Sequence, residues 1–510
     1  MRPGERLAVI DLGSNSFRLV VFQAGDGWWR RTDEIYEPVR ISEGLAATGE
    51  LGEEPIERAL ATLDVFDHFC RAAGLEREAL DAVATSAIRD ATNRDAFLAL
   101  AGDHFDAEIR VLSGEQEANY GYLAAVNSTT LDDGCVLELG GGSMQIVRVA
   151  GRRAERFSSW PLGTVRMTER FLPPNGPAKP RQLRTLRDFV TGELEKADWL
   201  SQADGRLVGV GGTIRNLAAA AQRALGASIG GVQGVIVERD WLEELIEQLA
   251  ALPAAERASI PGIKPARADL ILAGALVVLG VMRAGGFEAM EVTEAGLREG
   301  IFLQRLLSAQ PEPLLEDVRR ASVMNLARQY DVRAEHTRHV AKLALAMFDQ
   351  LATLGLHDGD AVERELLWAA CCLHDIGMSI DYDDHHKHSR YLILNGGLPG
   401  YSPVEVAIIA QAARYHRKGM PAPGPLGALF DRSSLEVLER CALLLRLAED
   451  LERSRDQVVR DVRFSEREGA VRLELFAAGE VAVPRWAASR ESELFRRAFD
   501  RTLEVERAAA

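Results

Sequence analysis

Three short glycine turns carry the residues in this sequence whose types and spacing best suit chemistry. Asp11-Leu12-Gly13-Ser14-Asn15-Ser16 and Glu138-Leu139-Gly140-Gly141-Gly142-Ser143 share the order acid-Leu-Gly-x-x-Ser, and Gly209-Val210-Gly211-Gly212-Thr213 is a third turn. Glycine lets backbone N–H groups approach a phosphate without side-chain obstruction. A carboxylate at the head of such a turn can hold a divalent cation, directly or through water. Asp11 and Glu138 occupy that position and are candidate metal ligands. Gly13, Ser14, Asn15, Ser16, Gly141, Gly142, Ser143, Gly212 and Thr213, with Asp11, are candidate phosphate-binding residues. One turn of this kind is only a tight hairpin. Three of them, each ending in Ser or Thr, point to a cleft built for phosphates. No P-loop occurs, and the third turn falls short of the dinucleotide fingerprint, so a dinucleotide fold has little support.

Those turns need rigid elements on either side. β-rich runs at 7–10 and 18–22 flank the first turn, and runs at 135–137 and 144–149 flank the second. One hairpin used twice implies a duplicated domain. The pattern further predicts helices at 55–73, 94–100 and 116–125 and short strands at 82–84, 109–112 and 206–208. The apolar stretch 270–282 is too short to cross a membrane and reads as a buried core helix within 269–282. A strand at 289–292 and a helix from 296 to 307 follow. Residues 308–314 contain Pro311 and Pro313 and read as a linker. Beyond it the texture is helical, at 335–354, 361–373, 404–415 and 434–453. Short strands at 462–464, 471–476 and 481–483 and a last helix at 489–506 suggest a small α+β module.

The whole chain sets limits on these readings. Its 510 residues suggest three or four domains at roughly 100–200 residues each. A hydrophobic share of 47% and a charged share of 27% are ordinary for a globular protein. The net charge of -16 argues against general nucleic-acid binding, which relies on Lys and Arg. An anionic substrate therefore needs local help from backbone N–H groups, clustered arginines or a divalent metal. The five cysteines form no CxxC pair and are odd in number, so buried thiols in a reducing cytoplasm are expected. No secretory leader or membrane anchor is read, which makes a cytoplasmic location the expectation.

Several stretches together resemble the exopolyphosphatase/guanosine pentaphosphate phosphatase (Ppx/GppA) family of the actin-like superfamily. They are Ala8-Val9-Ile10-Asp11-Leu12-Gly13-Ser14-Asn15-Ser16, Ala84-Thr85-Ser86-Ala87-Ile88-Arg89-Asp90, Leu112-Ser113-Gly114-Glu115-Gln116-Glu117-Ala118, Leu139-Gly140-Gly141-Gly142-Ser143, Pro161-Leu162-Gly163, Gly211-Gly212-Thr213 and Leu297-Arg298-Glu299-Gly300. The resemblance continues through His374-Asp375-Ile376-Gly377 and His386-Lys387-His388-Ser389. It implies an α/β fold with two actin-like, ribonuclease-H-like domains around a cleft, near 1–125 and 126–307. An all-α HD-like domain at 315–455 and a small α+β C-terminal domain at 456–510 follow. It also implies Mg²⁺, with Mn²⁺ as a substitute, and a homodimer. The activity implied is removal of the terminal phosphate of inorganic polyphosphate, or of the 5'-terminal phosphate of pppGpp.

Individual roles come from the same resemblance. Glu117, by itself a helix-start carboxylate favoured by the helix dipole, matches the acid that orients or deprotonates the attacking water. Gln116 stands where the family has another acid. Glu138 replaces an aspartate, and Gln145 an acid that follows the second turn. These departures keep open a third reading, a nucleotide- or polyphosphate-binding regulator with little turnover. Arg89 is either a phosphate-neutralising cation or a salt-bridge partner of Asp90 or Asp95, and the resemblance favours the former.

In the second half, His336, His374 and Asp375 have the order of an HD metal site, with Glu449 near the place of its last aspartate and Asp450 beside it. They are a candidate second metal site in a domain expected to serve substrate binding and assembly. An HD phosphohydrolase beside a vestigial N-terminal half is a remote fourth reading. Two basic clusters are candidates for a polyphosphate path. His386, Lys387 and His388, with His385, are expected in a polar loop, and Arg414, Arg417 and Lys418 flank Tyr415 and His416.

Overall fold

The computed structural model describes residues 1–173, 176–226, 230–330, 334–467 and 469–508. Its contacts form two compact units, one of Met1–Gly226 with Gly231–Val318 and the other dominated by Arg319–Ala510. The expected boundaries at 125/126 and 455/456 lie inside these units.

In the first unit the repeated hairpins are the organising feature. β1 (Arg6–Leu12) and β2 (Phe17–Ala24) pair antiparallel about the first turn, with Asp11 opposite Arg18. β3 (Trp29–Glu37) adds to β2, while β4 (Leu80–Ala84) and β5 (Ile109–Val111) add in parallel on the other side of β1. The sheet order is β3-β2-β1-β4-β5. The second sheet contains β6 (Gly134–Leu139), β7 (Met144–Ala150), β8 (Arg153–Trp160), β9 (Arg206–Val210), β10 (Val235–Glu238) and β11 (Ala289–Val292). Its order is β10-β11-β9-β6-β7-β8, again an antiparallel meander extended by parallel strands before the antiparallel edge β10. Glu138 lies opposite Gln145 in the register of β6 and β7. Asp11 and Glu138 are therefore equivalent positions of one duplicated scaffold, as are Arg18 and Gln145. This is the actin-like α/β architecture.

Both faces of the first sheet are covered, which is why its central strands read as continuous apolar runs rather than alternating ones. Ala8, Ile10 and Leu12 point into a core with Ala59, Leu63 and Phe66 of the helix Glu53–Ala72, and Leu7 and Val9 point the other way onto Ile301 and Phe302 of the helix Leu297–Leu306. The helix Gly114–Val126 packs Ala118, Tyr122 and Leu123 on Val136, Val147 and Val208 of the second sheet. The helix Ile271–Ala284 is buried almost all round, which accounts for its apolar sequence. Among the described residues no helix is long and apolar enough to cross a membrane. No disulfide joins the cysteines, of which Cys70, Cys135, Cys371 and Cys441 are buried and Cys372 is half-buried.

The second unit packs the helices Ala334–Thr353, Ala361–Leu373, His385–Gly396, Pro403–Tyr415 and Arg432–Leu451 around one apolar core. A sheet of β12 (Val459–Arg467), β13 (Ala470–Ala477) and β14 (Thr502–Arg507) joins it. Three local expectations are corrected. Residues 385–388 begin a helix rather than forming a loop. Residues 481–483 enter the helix Ala482–Ser489, whose start Glu480 caps by accepting from the Val481 and Ala482 amides at 2.9 and 3.0 Å. The span 489–506 is no single helix, because Ser492–Phe499 ends at Asp500 with φ of 53° and the chain turns into β14.

Candidate active site

The paired hairpins bring the first two glycine turns together. A Cβ on Gly142 would lie 2.6 Å from Ser86 Oγ and 3.0 Å from Ser14 Oγ, and one on Gly141 would lie 3.0 Å from the Ser14 Cβ. Ser14 and Ser86 hydroxyls are hydrogen-bonded at 3.1 Å. Behind the second turn, a Cβ on Gly163 would lie 2.3 Å from the Gly141 carbonyl oxygen, so the Pro161-Leu162-Gly163 motif is a packing requirement of that turn. The third turn closes on the same place: Gly211 has φ of 126°, and a Cβ there would sit 2.5 Å from the Leu139 carbonyl oxygen.

Between the turns lies a cavity of about 130 Å³. Asp11, Gly13, Ser14, Asn15, Ser16, Glu117, Glu138, Gly141 and Gly212 line it. So do Arg18, Arg215, Arg267 and Arg298, which sequence reasoning missed. Arg18 and Arg215 each stand two residues beyond a glycine turn, and Arg298 lies inside Leu297-Arg298-Glu299-Gly300, so a search for cations beside the turns would have found three of the four. Arg267 has no such local signal. Burial, reinforced by Arg298 and Arg215, pushes the Arg18 guanidinium down to about 10. Arg298 is buried, its Nη1 has no hydrogen-bond partner, and its nearest carboxylate is Glu34 at 3.7 Å. Cations crowded in this way favour an anion between them. A larger depression of about 720 Å³ runs along Ser113, Gln116, Tyr120 and Phe157, and neither the turn residues nor Asp11, Glu117 or Glu138 line it.

Glu117 stands on the first turn of the helix Gly114–Val126 and is buried. Its Oε2 accepts from Arg89 Nη1 at 2.7 Å, and its Oε1 from Ser143 Oγ at 3.5 Å. Burial pushes the Glu117 carboxyl above its ordinary value, and Arg89 opposes the rise. Arg89 also donates to the Leu112 carbonyl at 2.9 Å and faces Asp90 at 3.5 Å. Asp90 in turn accepts from Arg166, which donates to the Gly142 carbonyl at 3.1 Å. The structure thus places Arg89 on the carboxylate rather than in the cavity lining. Gln116 closes a capping box: Ser113 Oγ accepts from the Gln116 amide at 3.2 Å and Gln116 Oε1 from the Ser113 amide at 2.9 Å. A Gln serves there as well as an acid does.

Glu138 is half-buried, but its Oε2 is enclosed and has no hydrogen-bond partner. Gly121 leaves the space for it, since a Cβ there would lie 2.0 Å from Glu138 Oε2. Burial, followed by the charges of Glu117 and Asp11, pushes the Glu138 carboxyl well up, and burial also raises Asp11. A cation is the natural relief for such a group. Gln145 is buried and donates from Nε2 to Ser143 Oγ at 2.9 Å, while its Oε1 lacks a partner. Thr213 is buried against Gly274 behind the third turn.

In the second unit His336, His374, Asp375 and Glu449 converge, with ligand atoms within 4.8 Å of one another. The candidate basic path is only partly at the surface. His386 is buried, and burial reinforced by Arg414 pushes it down to about 4, so it is neutral at pH 7 and offers a polyanion no charge. Lys387, Arg417 and Lys418 are exposed, while His388 and Arg414 are half-buried.

Comparisons with known proteins bear on the family and the fold. The model of the Ppx/GppA phosphatase family matches residues 20–309, and that of Ppx/GppA phosphatase, domain III, matches residues 318–482. A solved Ppx/GppA family member of Aquifex aeolicus is 29% identical, with 60% of this chain and 99% of that chain covered and a TM-score of 0.52. Another structure, of the Aquifex aeolicus PPX-GPPA enzyme, is 30% identical over 58% of this chain and 98% of that chain, with a TM-score of 0.50. An exopolyphosphatase from Cytophaga hutchinsonii shares the fold at 21% identity and a TM-score of 0.55, with 59% of this chain and 98% of that chain covered.

Proposed function

The chain belongs to the Ppx/GppA phosphatase family, and we propose that within it this protein is an exopolyphosphatase that releases orthophosphate from the end of inorganic polyphosphate. The observation that carries this reading is the lining of the cleft. A buried carboxylate, glycine turns and four arginines face one small cavity, and among the described lining residues there is no aromatic ring on which a purine could stack. The cavity is smaller than the roughly 300–1,000 Å³ of pockets for drug-sized ligands, which suits the reacting end of a chain.

In this reading Arg18, Arg215, Arg267 and Arg298 and the turn N–H groups bind and orient the terminal phosphoryl oxygens. Glu117, held by Arg89 and Ser143, takes a proton from water as its oxygen bonds to the terminal phosphorus. The bridging P–O bond breaks, and orthophosphate and a chain shorter by one phosphate leave. Asp11 and Glu138 are the residues that would hold Mg²⁺, or Mn²⁺ in its place, and the enclosed, unpartnered Glu138 Oε2 fits that task. The ion's contribution would be charge neutralisation at the phosphate oxygens.

The test is phosphate release from long-chain polyphosphate and from pppGpp, each with Mg²⁺ and with EDTA. Release of single phosphates from polyphosphate, abolished by EDTA, is expected. Release from pppGpp alone would transfer the assignment to a pppGpp 5'-phosphatase, and no release from either would contradict an enzyme acting on these substrates.

A further inference from the structure

The helical unit contains more ligating groups than one metal ion needs. His336 Nε2 and His374 Nε2 lie 2.8 and 2.6 Å from Glu449 Oε1. Asp375 Oδ1 faces His385 Nε2 at 3.1 Å and both His374 Nε2 and His416 Nε2 at 3.7 Å. The ligand atoms of Asp375, His385 and His416 form a second set within 4.8 Å, and Asp375 belongs to both sets.

Hydrogen bonding fixes what these imidazoles present. The Nδ1 atoms of His374, His385 and His416 lie 2.7, 2.8 and 2.7 Å from the carbonyl oxygens of Cys371, Tyr382 and Ala413. A carbonyl only accepts, so each Nδ1 carries a hydrogen, and Nε2 is left as the ring atom that faces inward and can bind a cation. His385 Nε2 and His416 Nε2 are nevertheless 3.1 Å apart. Two facing lone pairs would repel, so either a shared proton or a metal ion must lie between or beside them. His336 Nδ1 faces the buried Glu452 at 3.9 Å and has no hydrogen-bond partner. Asp375 is buried, and its Oδ2 has no partner.

The surrounding fold is built around this convergence. A Cβ on Gly377 would lie 2.2 Å from the His385 carbonyl oxygen, so glycine lets the helix His385–Gly396 close on the His374-Asp375 turn. Ser389 Oγ locks the two together, donating to the His374 carbonyl at 2.5 Å and accepting from the Gly377 amide at 2.9 Å. His385 fell outside the expected metal set because its helix reads as a polar loop.

We propose that this cluster is a two-ion centre for divalent first-row transition metals. His336, His374, Asp375 and Glu449 hold one ion, Asp375, His385 and His416 hold the other, and Asp375 bridges them. Mixed imidazole and carboxylate sets select Mn, Fe, Co or Zn rather than Mg or Ca. The assignment is independent of the polyphosphate reading, because every ligand belongs to the helical unit.

The experiment uses the full chain, stripped with chelator and then loaded with Co²⁺ in the presence of excess Mg²⁺. Bound cobalt is counted by elemental mass spectrometry, and its visible absorption reports the ligand field. Two equivalents per chain are expected, falling to one in the His385→Gln/His416→Gln double variant and below one in Asp375→Asn, while Glu117→Gln retains both. The wild-type melting temperature should fall on stripping and recover on loading, which needs no variant to fold. No cobalt bound by the wild type, one equivalent only, or two equivalents undisturbed by Asp375→Asn would each overturn the two-ion centre.

Discussion

Arg89 Nη1 donates to Glu117 Oε2 at 2.7 Å, so the proposed base is paired with a cation inside the site. Burial raises the Glu117 carboxyl and Arg89 lowers it. The base works only when ionised, so activity should fall as the pH drops through the Glu117 pKa. Arg89→Gln removes the lowering influence and raises that pKa. The acid limb of the pH–rate profile should therefore move to higher pH, and an unmoved limb would show that another group titrates there.

The cleft arginines make a prediction about substrate. Arg298 Nη1 has no hydrogen-bond partner, so Arg298→Gln removes a cation without stranding a hydrogen bond at that atom. Losing one charge-assisted contact costs about 1.5–3 kcal/mol. A roughly ten- to hundredfold drop in kcat/KM for polyphosphate is expected, with a weaker dependence on salt concentration, both read from steady-state phosphate release. Unchanged kinetics would remove Arg298 from the substrate site.

Gly300 tests how Arg298 is positioned. A Cβ there would lie 2.0 Å from the Tyr120 carbonyl oxygen, where the helices Leu297–Leu306 and Gly114–Val126 meet. Gly300→Ala must separate the helices that carry Arg298 and Glu117. A loss of about 1–3 kcal/mol, the usual range for overpacking, and lower activity are expected in chemical denaturation and kinetics. Gly102→Ala is the control: nothing lies within 4 Å of the added methyl, and helix propensity favours Ala by about 1 kcal/mol.

Gln145 lies opposite Glu138 in the second hairpin, with Oε1 buried and unpartnered. Gln145→Glu adds a carboxylate beside the proposed metal ligand. It should lower the Mg²⁺ concentration for half-maximal activity, or raise turnover at low Mg²⁺, while the buried charge lowers the melting temperature. An unchanged Mg²⁺ titration would show that the charge at 145 is irrelevant to the metal.

The sequence made the first unit legible because its signals are local. The acid-Leu-Gly-x-x-Ser repeat gave both hairpins, and the continuous apolar runs gave the strands between them. The edge strands β3 and β8 escaped because their residues are mostly exposed and polar, with little alternation to read. The four cleft arginines converge only through the pairing of the lobes. Gln116 looked like a lost catalytic acid until the capping box gave it another task. The helix His385–Gly396 escaped for a different reason: its inward face carries His385, His386 and Ser389, polar residues that a hydrophobic pattern cannot register as buried.

Single-turnover hydrolysis of a short polyphosphate by Glu117→Gln measures the chemical step at the proposed base. The substitution keeps the shape of the side chain and removes its basicity, while the arginines and glycine turns remain to bind substrate. With folding verified, the rate should fall by about 10²–10⁴, the usual range for loss of a general base, and substrate affinity should change little. A near-normal single-turnover rate in Glu117→Gln would contradict the assignment of the chemistry to this cleft.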